Sequence, residues 1–172
     1  MTADTSIAPE SRAYRDTLGR YASGVVVVGA RADDGTLLGF TCQSFHSASL
    51  DPPLVLISVD HSSSTFPLIR ATGRFSVSVL GHRHRDVASV FARKGVDRWS
   101  TVPRTDTASG NPVLTDSLMW LDCRIDTEFA VGDHDLVIGR VLEMSPPEQD
   151  ADEPLLFYRG GFHRITPPHA TD

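Results

Sequence analysis

Lysine is almost missing from this 172-residue chain: Lys94 stands alone beside fifteen arginines. Any anion site must therefore rely chiefly on guanidinium or backbone N–H groups. Cysteine is scarce too, and Cys42 and Cys123 lie far apart with no CxxC partner. That argues against a zinc knuckle or a dithiol redox centre and leaves two buried free thiols as the plainer reading. The longest apolar run, around Val25 to Val28, is a handful of residues, far short of the roughly 20 that cross a bilayer. No run of five like charges occurs, and 16 basic against 22 acidic side chains leave a net charge of -6. The electrostatic footprint of a nucleic-acid binder is absent. The opening MTADTSIAPESR shows no basic region followed by an apolar stretch and a cleavage site, so a cytoplasmic location is expected. GxGxxG, GxxxxGK[ST] and GxSxG are all missing, which sets aside Rossmann, P-loop and serine-hydrolase readings. His82 and His84 in GHRHRD have no carboxylate or thiolate pattern to complete a metal site, and no metal is expected.

What is present suits one folding unit, since the length is too small for two domains with separate cores. Hydrophobic residues make up 40% of the chain, enough for a packed core. Tails are expected over residues 1–10 and 167–172, with the domain spanning 11–166. Tyr14, Leu18 and Tyr21 share one helical face, and Gly24 supplies a stop. Val25 to Val28, β-branched and bounded by glycines, reads as a strand buried on both faces. Asp34-Gly35 turns the chain into a second strand, Leu37 to Thr41.

Leu54 to Val59 follows the turn Asp51-Pro52-Pro53 as another strand. Ser62 to Ser64 can cap a helix over Thr65 to Ala71, ended by Gly73. Phe75, Val77 and Val79 alternate with serines as a half-buried strand. Asp86 to Lys94 is a third helix, with Val87, Val90 and Phe91 on one side. Arg93 to Ser117 reads as a long irregular segment, of the kind that is usually functional or mobile. Leu118 to Ile125, Leu136 to Leu142 and Leu155 to Ile165 complete the strands, separated by Gly132-Asp133 and the acidic loop Ser145 to Pro154. Seven or eight strands with three short helices favour a mainly β protein built as a small barrel over a doubly wound sheet.

Two polar segments carry chemistry. Thr41, Cys42, Gln43 and Ser44 stand where a strand should be ending, and such groups can hydrogen-bond the edge of a planar heterocycle; a solvent-exposed turn is the alternative. Ser62, Ser63, Ser64 and Thr65 at a helix start either cap it or hold a phosphate.

GRYASGVVVVGA, GFTCQSFHSASLDPPLVLISVDHSSST, GRFSVSVL, FARKG, GNPVL, DCRID, GDHDLVIGRV and PLLFYRGGF occur in order from about Tyr14 to about Ile165. This ordered set resembles the flavin reductase-like family, and most closely the reductase components of two-component flavin-dependent monooxygenases. The resemblance implies an FMN-binding split β-barrel of Greek-key type, homodimeric, that passes hydride from NADH or NADPH to FMN or FAD and supplies reduced flavin to a monooxygenase partner. It implies that Thr41, Cys42, Gln43 and Ser44, followed by Phe45, face the isoalloxazine edge. Residues from Ser58, Val59 and Asp60 through Ser62, Ser63, Ser64 and Thr65 would hold the ribityl chain and phosphate. Phe91, Ala92, Arg93 and Lys94 would close over the flavin. His134, with Phe157, Tyr158, Arg159 and Gly160, would line the nicotinamide side.

Hydride transfer needs two stacked rings and no protein nucleophile. His134 is therefore cast as a positioning or cofactor-contact group, with a purely structural role bonded to Asp133 or Asp135 as the alternative. Two departures stand out: Gln43 where many members carry Asn, and the carboxylate of Asp135 after GDH. A protein of this fold that keeps its flavin and reduces another acceptor or carries electrons, and a flavin-binding module without turnover, are the competing readings.

Overall fold

The computed structural model describes residues 11–95, 97–146 and 152–165. The tails expected at 1–10 and 167–172, and residues 147–151 of the acidic loop, lie outside them. In chain order the elements are α1 (Ser11–Leu18), β1 (Ser23–Gly24), β2 (Val26–Arg31), β3 (Leu37–Cys42), β4 (His46–Leu50), β5 (Pro53–Asp60), α2 (Phe66–Thr72) and β6 (Arg74–Val79). A 3-10 turn at His82–His84 leads into α3 (Arg85–Phe91). Then come β7 (Arg104–Asp106), β8 (Pro112–Leu114), β9 (Met119–Val131), β10 (His134–Met144), β11 (Leu156–Tyr158) and β12 (Gly161–His163).

Seven strands form one antiparallel sheet in the order β3-β2-β6-β9-β10-β5-β4. Its two edges, β3 and β4, are separated in sequence only by Gln43, Ser44 and Phe45, so the sheet must curl back on itself. The seam is closed by one side chain. The Ser44 hydroxyl donates to the Ser58 carbonyl at 2.7 Å and accepts from the Ser58 N–H at 2.9 Å. This is the split of a split barrel, in which the hairpins β2–β3, β4–β5 and β9–β10 are joined through the longer crossovers β2-β6, β6-β9 and β10-β5.

β2 runs between two cores, as its apolar run predicts. Val26 and Val28 face the barrel interior with Ile57, Phe75, Val77 and Val137. Val25 and Val27 face outward onto a second cluster with Phe91, Trp99, Leu114 and Leu155. Alternation of side chains across a strand makes this double burial possible. Inside the barrel, Phe75 lies so close to β10 that a Cβ on Gly139 would sit 2.4 Å from its ring. Only glycine fits there, and it lies beside a register shift in the β9–β10 ladder.

Three expectations change. β6 is buried on both faces, because β8 covers its serine side: Ser76 donates to the Gly29 and Pro112 carbonyls and Ser78 accepts from the Leu114 N–H. The third helix ends at Phe91 and excludes Lys94. The long segment after Arg93 is built structure: the β7–β8 hairpin and Trp99, only 4% exposed, cover the second cluster. β4 is invisible in the sequence because its residues, HSASL, are mostly polar and exposed, the two-residue β1 is too short to read, and the single strand read over Leu155 to Ile165 is the hairpin β11–β12.

Candidate functional site

A cleft of about 490 Å³ opens at the barrel seam, between the end of β3, the end of β5 and the start of β10. Phe40, Thr41, Cys42, Gln43 and Ser44 form one side, and Ser58, Val59, Asp60, Ser63 and His134 the other. The register brings His134 directly opposite Asp60, which explains how residues 74 apart in sequence share one mouth. The segment 41–44, read as either a turn or a ring-binding edge, thus lines a concave site.

The groups of this cleft fall into two sets. On the inner wall the hydrogen bonds are already made within the protein. The Thr41 hydroxyl donates to the Ala88 carbonyl at 2.7 Å, tying β3 to α3. Ser44 spends its proton on Ser58, and its oxygen lies 3.1 Å from the Cys42 sulfur. Burial pushes the Cys42 thiol pKa up, so it stays protonated. Cys123, inside the barrel, is pushed up to about 12 by burial and then by the Asp122 charge. Both are the buried free thiols expected.

At the mouth the groups are exposed. Gln43 accepts a long 3.4 Å bond from Ser23, and among the described residues its carboxamide N–H groups make no hydrogen bond. His134 is 40% exposed, with Nδ1 2.7 Å from the Asp133 carboxylate. That bond holds Asp133 below the usual carboxylate range and, because a carboxylate only accepts, sets the ring with Nδ1 as donor; Nε2 has no hydrogen-bond partner among the described residues. Asp60 is likewise held low by the Ser62 N–H. Asp135, the unexpected carboxylate, turns away from the cleft into an ion-pair group with Arg70 and His61, where the Arg70 bond lowers its pKa. Arg70 also pairs with Glu128 at 2.8 Å. Asp135 and Glu128 thus share the single Arg70 charge away from the cleft.

A smaller cleft of about 200 Å³ continues from the first through Phe40, Thr41 and Ser63. It gathers Ser64, Thr65, Phe91, Ala92 and Lys94, together with Arg98, which the sequence reading missed. Arg98 was hidden in a segment taken as irregular. Ser63 accepts from the Phe66 N–H, the first of the seven-residue α2, at 3.2 Å, while the N-cap position itself is Thr65, which makes no side-chain cap bond.

Not every expected residue reaches these clefts. Phe45 packs against the barrel core, and Ser62 lines neither cleft; Val59 lines the first cleft while also belonging to the barrel core. Phe157, Arg159 and Gly160 line a separate cleft of about 680 Å³ under α1, with Tyr14, Leu18 and Tyr21. It shares only Gln43 with the first cleft, so His134 and the β11–β12 turn line different clefts. Tyr158 stacks edge-on with His163 instead. The apolar face of α1 is exposed rather than seated on a core. Among the described residues no group of three or more His, Cys, Asp and Glu could hold a metal, and no helix is long and apolar enough to cross a membrane.

The site is thus a polar cleft where the curled antiparallel sheet leaves its edges β3 and β4 unpaired, with a half-exposed histidine at its mouth and a cationic extension. The flavin reductase like domain matches residues 18–166, and the chain belongs to that family. It is 36% identical over 170 residues to the reductase subunit HsaB of a flavin-dependent monooxygenase from Rhodococcus jostii, covering 97% of this chain and 86% of that one. It is 33% identical over 163 residues to the NADH-dependent flavin reductase StyB of Pseudomonas fluorescens, covering 95% of each. A solved homologue of nitrilotriacetate monooxygenase component B from Mycobacterium thermoresistibile superposes with a TM-score of 0.87 at 34% identity, over 94% of this chain and 89% of that one.

Proposed function

We propose that this chain is an NADH-oxidising flavin reductase that hands reduced FMN or FAD to a separate monooxygenase. The observation that carries this is the division of the seam cleft. Its wall is rigid and internally bonded, while its mouth presents unspent donors, which suits a flat heterocycle entering edge-first. The flavin, when bound, supplies an N5 position that accepts the hydride carried at C4 of the reduced nicotinamide. Thr41 and Ser44 hold the wall that receives the ring, and Gln43 offers carboxamide N–H groups to its polar edge. Lys94 and Arg98 neutralise the phosphate in the second cleft. His134, oriented by Asp133, lies at the mouth and positions the nicotinamide, as do Phe157, Arg159 and Gly160 from the far side of Gln43. No side chain in the cleft is placed as a covalent nucleophile: the Cys42 thiol is buried and protonated.

The protein acts as a homodimer in this reading. On the outer barrel face Leu54, Leu56, Leu136 and Ile138 sit in neighbouring registers of β5 and β10, opposite the inward Val55, Ile57 and Val137. Phe129, 55% exposed, extends the patch beside Leu136, and contiguous apolar surface of this kind marks an interface. Light scattering with flavin bound should report a dimer; a monomer contradicts this part. The activity is tested by dialysing the purified protein, then adding NADH with FMN or FAD. Catalytic oxidation of NADH that requires added flavin, with nearly colourless protein after dialysis, is the expected result. A yellow protein that resists dialysis indicates a retained prosthetic group, and flavin binding without NADH oxidation indicates a binding module; either contradicts the reading.

A further inference from the structure

We propose that His61 is a positioning residue for flavin reduction, clamping the hairpin tip that presents His134, with Asp135 as its anchor; this rests on the flavin-reductase reading above. His134 stands at the end of the β9–β10 hairpin, paired with Val131 across the turn Gly132-Asp133 and with Asp60 on its other side. No ladder continues past it, and strand ends of this kind open most easily. The Asp133 carboxylate that orients the His134 ring is itself 89% exposed. The tip therefore needs a tether, and His61 meets it twice. Its backbone N–H donates to the Asp133 carbonyl at 3.0 Å, and its Nε2 lies 3.1 Å from an Asp135 carboxylate oxygen. The residues immediately before and after His134 are thus both tied to one residue of the β5–α2 turn.

Strand alternation makes this clamp possible. His134 faces the seam cleft, so Asp135 points to the opposite side of β10, into a recess of about 240 Å³ that it shares with His61, Phe66 and Arg70. There Arg70 of α2 bonds the second Asp135 oxygen and, through Nε, Glu128 of β9 at 2.8 Å, so one guanidinium spans both strands of the hairpin. It also lies over the Phe66 ring, 4.9 Å from the centroid. The His61 bond completes a bridge from the β5–α2 turn to the strand that carries His134. None of His61, Arg70 and Asp135 lines the seam cleft, so their effect on a bound nicotinamide passes through His134. The turn keeps its shape without the imidazole, because the Ser62 N–H bonds the Asp60 carboxylate at 2.6 Å and the Ser63 N–H bonds the Asp60 carbonyl at 3.0 Å. Ion pairs as exposed as this one add little to global stability. Cutting the clamp at His61 should release the hairpin tip and leave the flavin wall and the fold as they are.

A double-mutant cycle on the full chain tests this. Stopped-flow reduction of FMN and of FAD by NADH is followed in the wild type, His61→Ala, His134→Ala and the double variant, with flavin affinity and melting temperature measured beside it. His61→Ala should slow reduction about fivefold, as a small misplacement of one contact group does, with flavin affinity and melting temperature close to wild type. In the His134→Ala background the same change should cost nothing further, because the clamp acts only through the ring it holds. His61→Gln, whose carboxamide N–H can reach the Asp135 carboxylate, should recover most of the rate, and Asp135→Ala should reproduce the loss. Equal losses from His61→Ala with and without His134 overturn the proposal, since an independent structural contact is additive. So does a wild-type rate in His61→Ala, a His61→Gln protein as slow as His61→Ala, or a flavin affinity that falls in step with the rate. A His134→Ala protein as fast as the wild type defeats the placement of His134 at the nicotinamide, and the clamp with it. A wild type that binds flavin without oxidising NADH defeats the reductase reading instead.

Discussion

The inner wall of the seam cleft and its mouth are built from similar polar residues yet do opposite work. Ser44 and Thr41 on the wall have their hydroxyl protons committed to Ser58 and Ala88. Gln43, one residue from Ser44, and His134 across the cleft are exposed with donors or acceptors to spare. A polar side chain bonded on all sides shapes a site, and one left free can contact the molecule that enters it. In the proposed function this contrast gives positioning to the wall and contact to the mouth.

The largest expected effect comes from the wall. Ser44→Ala leaves both the N–H and the carbonyl of Ser58 without their side-chain partner, at a cost of about 1–3 kcal/mol. For a chain of this size the melting temperature should fall by about 2–4 °C for each kcal/mol, and differential scanning calorimetry checks it. Flavin affinity should drop at the same time, because the seam loosens.

At the mouth the effects should separate. His134→Ala is expected to slow flavin reduction by NADH about tenfold, or about 1.4 kcal/mol of transition-state stabilisation, with flavin affinity and melting temperature close to wild type. Stopped-flow reduction and equilibrium titration on one preparation test this, and parallel loss of flavin affinity would return His134 to a structural role. Gln43→Ala should lower flavin affinity several-fold, a net hydrogen bond being worth about 0.5–1.5 kcal/mol, without altering stability.

The smallest effect belongs to the buried thiols. Both are protonated near neutral pH, since burial raises their pKa, and only the thiolate is nucleophilic. Neither Cys42 nor Cys123 should react with a thiol reagent in the native protein at pH 8, whereas both should react after unfolding. Rapid native labelling of Cys42 would show that the wall is open to solvent.

Much of the fold could be read from pattern alone. The double burial of Val25 to Val28, the Asp34-Gly35 hairpin and the α2 boundaries follow from β-branching, turn chemistry and capping. β4 could not, because an exposed edge strand such as HSASL is held by its pairing with β5 rather than by an apolar face. The buried serines of β6 misled for a related reason: their carbonyl and N–H partners come from β8 and Gly29, distant in sequence.

In the site, segment 41–44 and His134 were legible through the ordered motifs, and the structure brings them to one cleft. The division between committed and free groups was not, since it depends on which backbone atoms lie within hydrogen-bond reach after the barrel closes. Arg98 escaped for the same reason, reaching the cleft only through the fold of a segment with no periodicity of its own.

The central claim is the division between wall and mouth, and it is tested most directly by melting Ser44→Ala and Gln43→Ala with and without saturating flavin. The account predicts that Gln43→Ala melts like the wild type alone but gains less from flavin, while Ser44→Ala melts lower in both conditions. A Ser44→Ala protein with wild-type stability and a selective loss of the flavin-induced gain would contradict it, placing Ser44 among the groups that touch the flavin.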